Sequence, residues 1–206
     1  MAEPSGIRLE TITGPALSRH LGCLGALRAE VFHAWPYLYE DEPDDEAAYL
    51  ATYANSPRAG LVIAWDGDVP VGAATCLPLA DETPEILAPF LTLGLDPSRF
   101  FYFGESVLRP DYRGQGIGVG FFQAREAHAK SVSDADFACF CAVQRPADHP
   151  ARPADAAALD TFWIRRGYTR RADLICELAW KDRGDSKQTH KPLMFWLKSL
   201  HGKPLP

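Results

Sequence analysis

The residues of this chain best suited to chemistry form one glycine-rich stretch, Arg113-Gly114-Gln115-Gly116-Ile117-Gly118. The stretch lies between a β-rich run, residues 100–108, and a run of helical character that begins near Gly116. A turn that joins a strand to a helix leaves backbone N–H groups without internal partners, and the helix dipole adds partial positive charge. Glycine lets a ligand approach the backbone closely, and Arg113 adds a cation. The stretch therefore predicts a pyrophosphate site.

The spacing of the glycines distinguishes between classes of phosphate site. A P-loop needs Lys and then Ser or Thr after its second glycine, and no Lys follows Gly116 or Gly118. A dinucleotide fingerprint needs G-x-G-x-x-G, but its last position would fall on Val119 or Phe121. The spacing that fits is R-G-x-G-x-G, preceded by Val107-Leu108-Arg109-Pro110. A glycine-rich turn without any ligand stays open as the alternative.

This pattern resembles the acyl-CoA signature of the GNAT family, the acyl-CoA-dependent N-acyltransferases. A second stretch, residues 159–168, resembles the late motif of the same family, a helix that carries aromatic residues and ends in Gly167 and Tyr168. The two motifs stand in the family's order, and the resemblance extends over nearly the whole chain.

The predicted elements follow the order β-α-α-β-β-α-β-α-β-α-β-β, within one domain that spans residues 1–206. We expect an α/β (α+β) fold with a mixed, largely antiparallel twisted sheet of about six or seven strands. Helices should cover both faces, and one parallel pair of strands should splay apart, as in the GNAT fold. The predicted strands are residues 7–12, 61–65, 69–77, 100–108, 137–143, 174–180 and 193–200, the last of which could also be helical; the predicted helices are 17–31, 44–53, 84–93, 116–130 and 154–166.

The composition of the chain restricts its possible binding partners and its cellular compartment. The formal net charge of −6 argues against a nucleic acid held by general electrostatics. Five cysteines scattered among apolar residues indicate reduced thiols in a cytoplasmic protein, and their spacing predicts no zinc or other metal site. The sequence contains neither a signal peptide nor an apolar run long enough to cross a membrane, so no membrane partner is expected. Dimers are common in the family, but the oligomeric state stays open.

The resemblance implies how acetyl-CoA, the expected cosubstrate, would be held. The strands at 100–108 and 137–143 would run parallel and splay, and the pantetheine arm would lie in the wedge between them. Val107 and Leu108 would offer backbone groups to pantetheine, and the N–H of Leu108 would stabilise the developing oxyanion. Residues 113–118, with Val119, would hold the pyrophosphate.

Two further positions concern the general base and the general acid of the reaction. Glu105, three residues before Leu108, is the expected general base for the acceptor amine. The alternatives are that Glu105 is a structural carboxylate paired with an Arg, or that His149 is the base. Trp163 stands where the family usually has a Tyr general acid, and an indole N–H cannot reprotonate a thiolate. We therefore assign no general acid.

For the acceptor side we predict Tyr37 and Tyr39 as pocket residues and Arg145 as a ligand for an acidic substrate group. The predicted function is transfer of an acetyl group from acetyl-CoA to a primary amine, on a small molecule or a peptide, by direct attack. A non-catalytic acyl-CoA sensor on the same fold is the first alternative, and a nucleotide-binding protein of another kind is the second. The sequence does not identify the acceptor.

Overall fold

The structure is a computed structural model that describes residues 6–40, 43–156 and 158–206. Its strands are β1 (Ile7–Thr13), β2 (Gly60–Asp66), β3 (Val69–Pro78), β4 (Phe100–Tyr102), β5 (Ser106–Leu108), β6 (Phe137–Val143), β7 (Thr169–Trp180) and β8 (Thr189–Ser199). Its α-helices are α1 (Leu21–Phe32), α2 (Pro43–Asn55), α3 (Pro84–Thr92), α4 (Ile117–Val132) and α5 (Asp160–Ile164).

The strands form a single mixed sheet in the order β1-β2-β3-β4-β6-β8-β7, and β5 pairs with β3 beside this path. All pairings are antiparallel except that of β4 with β6, which is parallel. The long α4 connection makes this parallel pair possible, because parallel neighbours need a crossover. The predicted fold class is confirmed, including its one parallel pair.

Helices cover both faces of the sheet, as the near-continuous apolar runs of the central strands β2, β3 and β6 require. One face packs against α1, α2 and α3 through a large cluster that includes Leu24, Tyr53 and Phe90. The other face packs against α4 and α5 around Phe122 and Phe140. None of the helices in the described ranges combines the length and the apolar character that a bilayer span needs.

Where the sequence predicts one strand at 100–108, the structure has two, β4 and β5. We call the residues that separate them, 103–105, the break. The N–H of Phe103 donates to Cys139 O at 2.7 Å and so ends the pairing with β6. The next two N–H groups turn to β3 instead: Gly104 donates to Thr75 O at 3.1 Å, and Glu105 donates to the Thr75 hydroxyl at 2.9 Å. β5 therefore leaves β6 and continues along β3 alone.

The guanidinium of Arg125, on α4, stabilises the break through hydrogen bonds. It is 1% exposed, and it donates to Thr75 O at 3.3 Å, to Glu105 O at 3.1 Å and to the Ser106 hydroxyl at 2.9 Å. The ring of Phe103 lies 4.6 Å from the same guanidinium. Burial lowers the pKa of Arg125, which shows the cost of placing this cation in the core.

Two predicted helices differ from the observed ones. The segment predicted as one helix at 17–31 begins as a 3₁₀ helix, Gly14–His20, and becomes α-helical only from Leu21. The helix predicted at 154–166 ends as expected, since Gly167 adopts φ of 83°, but it begins only at Asp160. The last predicted strand, ambiguous in sequence, corresponds to the C-terminal part of β8.

Arg125→Met should destabilise the protein by roughly 3 kcal/mol, because three charge-assisted hydrogen bonds would be lost at the break: two buried carbonyl oxygens would each lose one of their two donors, and the Ser106 hydroxyl would lose its own. The free energy of unfolding, measured by urea denaturation, tests this. Arg8→Met is the control, since Arg8 is an exposed arginine paired with Glu10 and should change stability by no more than about 0.5 kcal/mol. Equal losses in the two variants would contradict the role given to Arg125.

Candidate active site

The break opens a gap in the sheet between β5 and the second half of β6. β4 pairs with β6 over three residues, the last pair being Tyr102 with Cys139, and β5 has no pairing with β6. The backbone edges of the two strands beyond this point are consequently free to pair with an added extended ligand.

The register shows which residues face the gap. Glu105 O accepts from Thr75 and the Arg109 N–H donates to Val71 O, so odd-numbered residues of β5 direct their backbone groups to β3. Because alternate residues of a strand bond to opposite neighbours, Ser106 and Leu108 direct their N–H and C=O groups into the gap. By the same alternation Cys141 and Val143 face the gap from β6, since Gln144 pairs with β8.

This geometry changes one of the predicted assignments. Leu108 faces the gap, as the role predicted for its N–H requires. Val107 pairs with Ala73, is fully buried, and directs its backbone to β3, so it cannot offer backbone groups to a ligand in the gap. Ser106 takes its place, and only the register could identify it, because the sequence shows no break.

The glycine loop, residues 113–118, lies at the end of β5 and opens α4. Within the described chain, the backbone N–H groups of residues 114–118 donate no intramolecular hydrogen bond. Gly114 and Gly116 have φ of 78° and 86°, a conformation that side chains rarely adopt, and a Cβ at either would meet nothing within 4 Å. Five consecutive free donors at the start of a 16-residue helix suit a pyrophosphate.

The two ends of the predicted phosphate site contribute differently. The N–H of Arg113 donates to Pro110 O at 3.0 Å, and that of Val119 donates to Gly116 O at 3.0 Å, so both are already used. The exposed guanidinium of Arg113 donates to Leu108 O at 3.3 Å, which places this cation between the loop and the gap. Arg113 is thus available through its side chain, whereas Val119 offers no free N–H.

Glu105 lies at the break with its side chain 10% exposed. Its carboxylate forms an ion pair with Arg28 of α1, whose guanidinium also stacks on the ring of Tyr49 at 3.9 Å. This is the Arg pairing that the structural alternative anticipated. The role of Glu105 as a base stays a prediction. The alternative base His149 packs against the ring of Trp35, 5.2 Å away.

The predicted acceptor residues do not all face the gap. Tyr37 packs on Phe32 in the core and burial raises the pKa of its phenol, so its role in an acceptor pocket stays a prediction. Tyr39 forms an isolated bridge with Asp182 and stays a prediction.

Arg145 is used internally, so we do not retain it as a substrate ligand. Its guanidinium donates to both carboxylate oxygens of Asp182 at 2.6 and 2.9 Å, to Pro36 O at 2.8 Å and to Tyr37 O at 2.7 Å. The Arg145 side chain is only 8% exposed. It therefore fixes the loop between α1 and α2 to the β7–β8 hairpin.

No general acid emerges at the position of Trp163. Its ring packs on Phe140 and Trp196 at 5.1 and 5.0 Å. Tyr168 is buried beneath α4, where its hydroxyl donates to Glu126 at 3.1 Å. Within the described ranges, no three His, Cys, Asp or Glu residues are grouped to bind a metal ion.

Sequence reasoning missed a second carboxyl near the break, Glu82. It follows β3 after a short 3₁₀ helix, and its oxygens contact the Tyr53 hydroxyl at 3.5 Å and the Thr83 N–H at 3.1 Å. Burial raises its pKa to about 7, opposed by the hydrogen bond from Thr83. No motif in the sequence marks this residue, because its environment is made by α2, which is distant in the chain.

Comparison with known proteins gives one family match. A family model described as "Acetyltransferase (GNAT) family" matches residues 25–154, more than half of the chain. A search of curated proteins found no match.

Solved structures share the whole architecture. The Salmonella typhimurium protein yncA, solved with acetyl-CoA, has a TM-score of 0.60 at 12% identity, covering 98% of each chain. A GCN5-related N-acetyltransferase from Kribbella flavida has a TM-score of 0.60 at 14% identity, covering 96% of this chain and 99% of that one. A ribosomal-protein-alanine N-acetyltransferase from Brucella melitensis has a TM-score of 0.59 at 13% identity, covering 93% and 99%. At such identities the likeness shows the fold alone.

The raised pKa of Glu82 predicts a pH dependence of stability. A carboxyl with a pKa of 4.5 when unfolded and about 7 when folded favours the folded state fully only below pH 4.5. The free energy of unfolding should therefore fall by up to about 3 kcal/mol as the pH rises through 7. Urea denaturation between pH 5 and 8 measures this fall, which Glu82→Gln should remove.

Asp81→Asn is the matched control for this prediction, because it removes the neighbouring, more exposed carboxylate and leaves Glu82 in place. It should retain most of the fall in stability. A pH dependence in Glu82→Gln that parallels the wild type would show that another group is responsible.

Proposed function

The chain belongs to the acetyltransferase (GNAT) family and is an acyltransferase of that type, and we propose that it transfers an acetyl group from acetyl-CoA to a primary amine. The transfer is a direct attack of the amine on the thioester, without an acyl-enzyme. The acceptor is a small molecule or a peptide, and the protein's described residues leave its identity open.

The observation that carries the proposal is the conjunction of an unpaired gap and a row of free donors. The edge residues Ser106 and Leu108 can pair with the amides of an extended pantetheine arm, as an added strand would. The free N–H groups at 114–118 lie at the end of β5, where the pyrophosphate of the same molecule would fall. The groups present thus fit acetyl-CoA at both ends.

In the proposed mechanism the chain acts mainly by holding two substrates and by stabilising charge. The N–H of Leu108 donates to the thioester oxygen as negative charge develops there. The carboxylate of Glu105 receives a proton from the attacking amine. The Arg28 ion pair fixes the orientation of that carboxylate at the break.

The sensor alternative rests on Trp163, because the position usually held by a general acid carries a packing residue. Direct transfer can proceed without that acid if CoA leaves as the thiolate. Acetyl-CoA binding without release of CoA in the presence of amines would favour the sensor.

The glycine loop is tested by Gly116→Asp, which places a carboxylate against the free N–H groups and so competes with the pyrophosphate. Acetyl-CoA affinity, measured by calorimetry, should fall by about a hundredfold or more, the equivalent of one or two charge-assisted hydrogen bonds.

Gly94→Asp is the matched control for the loop, because Gly94 also has a positive φ, 68°, and open space around it, but it follows α3. It should suffer the same backbone strain and keep its affinity. Retained affinity in Gly116→Asp would exclude the loop as the pyrophosphate site.

The proposed base is tested by Glu105→Gln. Release of CoA from acetyl-CoA, measured with a panel of polyamines, amino acids, aminoglycosides and Lys-containing peptides, should slow by about a hundredfold. Acetyl-CoA affinity should be unchanged, because in the proposed complex the carboxylate contacts the amine and Arg28 but not acetyl-CoA.

Asp136→Asn is the control for Glu105, since Asp136 is an Arg-paired carboxylate with the same small exposure, 11%, at the opposite end of β6. It should lower stability without lowering turnover. Unchanged turnover in Glu105→Gln, or equal losses in the two variants, would remove Glu105 as the base.

A further inference from the structure

A cleft of about 410 Å³ opens beside the C-terminal end of α2. It is lined by Thr52, Asn55, Ser56, Pro57, Asp81, Glu82 and Thr83. Asp81 is exposed and accepts a hydrogen bond of 2.6 Å from the Ser56 hydroxyl. Glu82 is the less exposed of the two acids, and it connects the cleft to the interior of the protein.

Hydroxyl groups join Glu82 to the break. The Tyr53 hydroxyl contacts Glu82 Oε1 at 3.5 Å and accepts a hydrogen bond of 2.8 Å from Tyr49. The same Tyr53 oxygen and the Thr75 hydroxyl lie directly against Gly104, where a Cβ would stand 1.9 and 2.7 Å from them. Only glycine fits at this position, and its absent side chain lets the Tyr53 hydroxyl reach the break.

We propose that Tyr53 and Glu82 carry the proton of the acceptor amine from the break to solvent. This inference rests on the proposed function and assigns residues that the family match does not identify. The proton that Glu105 takes from the amine at the break passes on to the Tyr53 oxygen as the Tyr53 hydroxyl proton passes to the Glu82 carboxylate, which returns Glu105 to its ionised form. Tyr53 stays neutral, Glu82 becomes a carboxylic acid, and its proton then leaves to water in the cleft, so that charge and atoms balance.

The electrostatics of Glu82 suit a group that takes up and releases a proton near neutral pH. Burial holds its pKa at about 7, where the ionised and neutral forms are equally populated. The titratable groups that face or influence it are Asp81, Tyr49, Tyr53, Tyr102, Cys139 and Cys176; burial raises the pKa of these tyrosine and cysteine side chains and so keeps them neutral at this pH. The pKa of Tyr53 is raised well above 10 by burial, so Tyr53 acts by exchanging protons and not as a phenolate.

The experiment follows release of CoA from acetyl-CoA with the amine panel between pH 5.5 and 9. In the wild type, kcat should rise through an apparent pKa near 7 as Glu82 ionises. Glu82→Gln and Tyr53→Phe should each lower kcat by about tenfold or more and leave the calorimetric affinity for acetyl-CoA unchanged. Glu82→Gln should also lose the ionisation near 7, whereas Glu82→Asp, which keeps a carboxyl, should recover it in part.

Asp81→Asn is again the matched control, and it should keep the wild-type profile with at most a small shift to lower pH, because the Asp81 charge contributes to the raised pKa of Glu82. A lower kcat in Glu82→Gln with an unchanged pH profile would mean that Glu82 has a purely structural role. That result would overturn the proposed proton relay through Tyr53 and Glu82. If neither Glu82→Gln nor Tyr53→Phe changes the turnover measured in the wild type, the relay is overturned as well. No turnover with any amine would overturn the proposed function, and the relay with it.

Discussion

The buried guanidinium of Arg125 is the interaction on which the site depends. A sheet gains hydrogen bonds by pairing neighbouring strands fully, so a gap between β5 and β6 needs some group to satisfy the backbone where the pairing is abandoned. Arg125 is a second donor to two carbonyl oxygens there and also donates to the Ser106 hydroxyl, and the side chain of Thr75 accepts the N–H of Glu105. The free edge residues Ser106 and Leu108, and hence any strand-like binding of a ligand, follow from this arrangement.

A second consequence of the break is the polar character of the face covered by α1 and α2. Arg28 joins Glu105 to Tyr49, and Tyr53 joins Tyr49 to Glu82. Buried polar groups such as these are stable because they interact with one another. Any one of them left without a partner would lower the free energy of unfolding. The same burial moves the pKa of Glu82 into the neutral range, so one network supplies both the shape of the site and its acid–base character.

The acceptor side is positioned by contacts that are far apart in sequence. Arg145 and Lys191 both pair with Asp182, and Arg145 also holds the carbonyl groups of Pro36 and Tyr37. The loop between α1 and α2 is thereby fixed over the core, with Leu38 in the left-handed region at φ of 55°. This explains why an arginine in a loop beside the site, which in sequence resembles a ligand for an acidic substrate, is a structural residue.

The sequence by itself determined the fold class, the parallel pair of strands and the glycine loop, because apolar periodicity and glycine spacing are local signals. It could not determine that residues 100–108 break into two strands, that Val107 faces β3 while Ser106 faces the gap, or that Arg145 is already paired. Nor could it identify Glu82, whose pKa is raised mainly by burial under α2 and in the core. Register, pairing and burial are set by residues brought together only on folding, and the tertiary structure decided them.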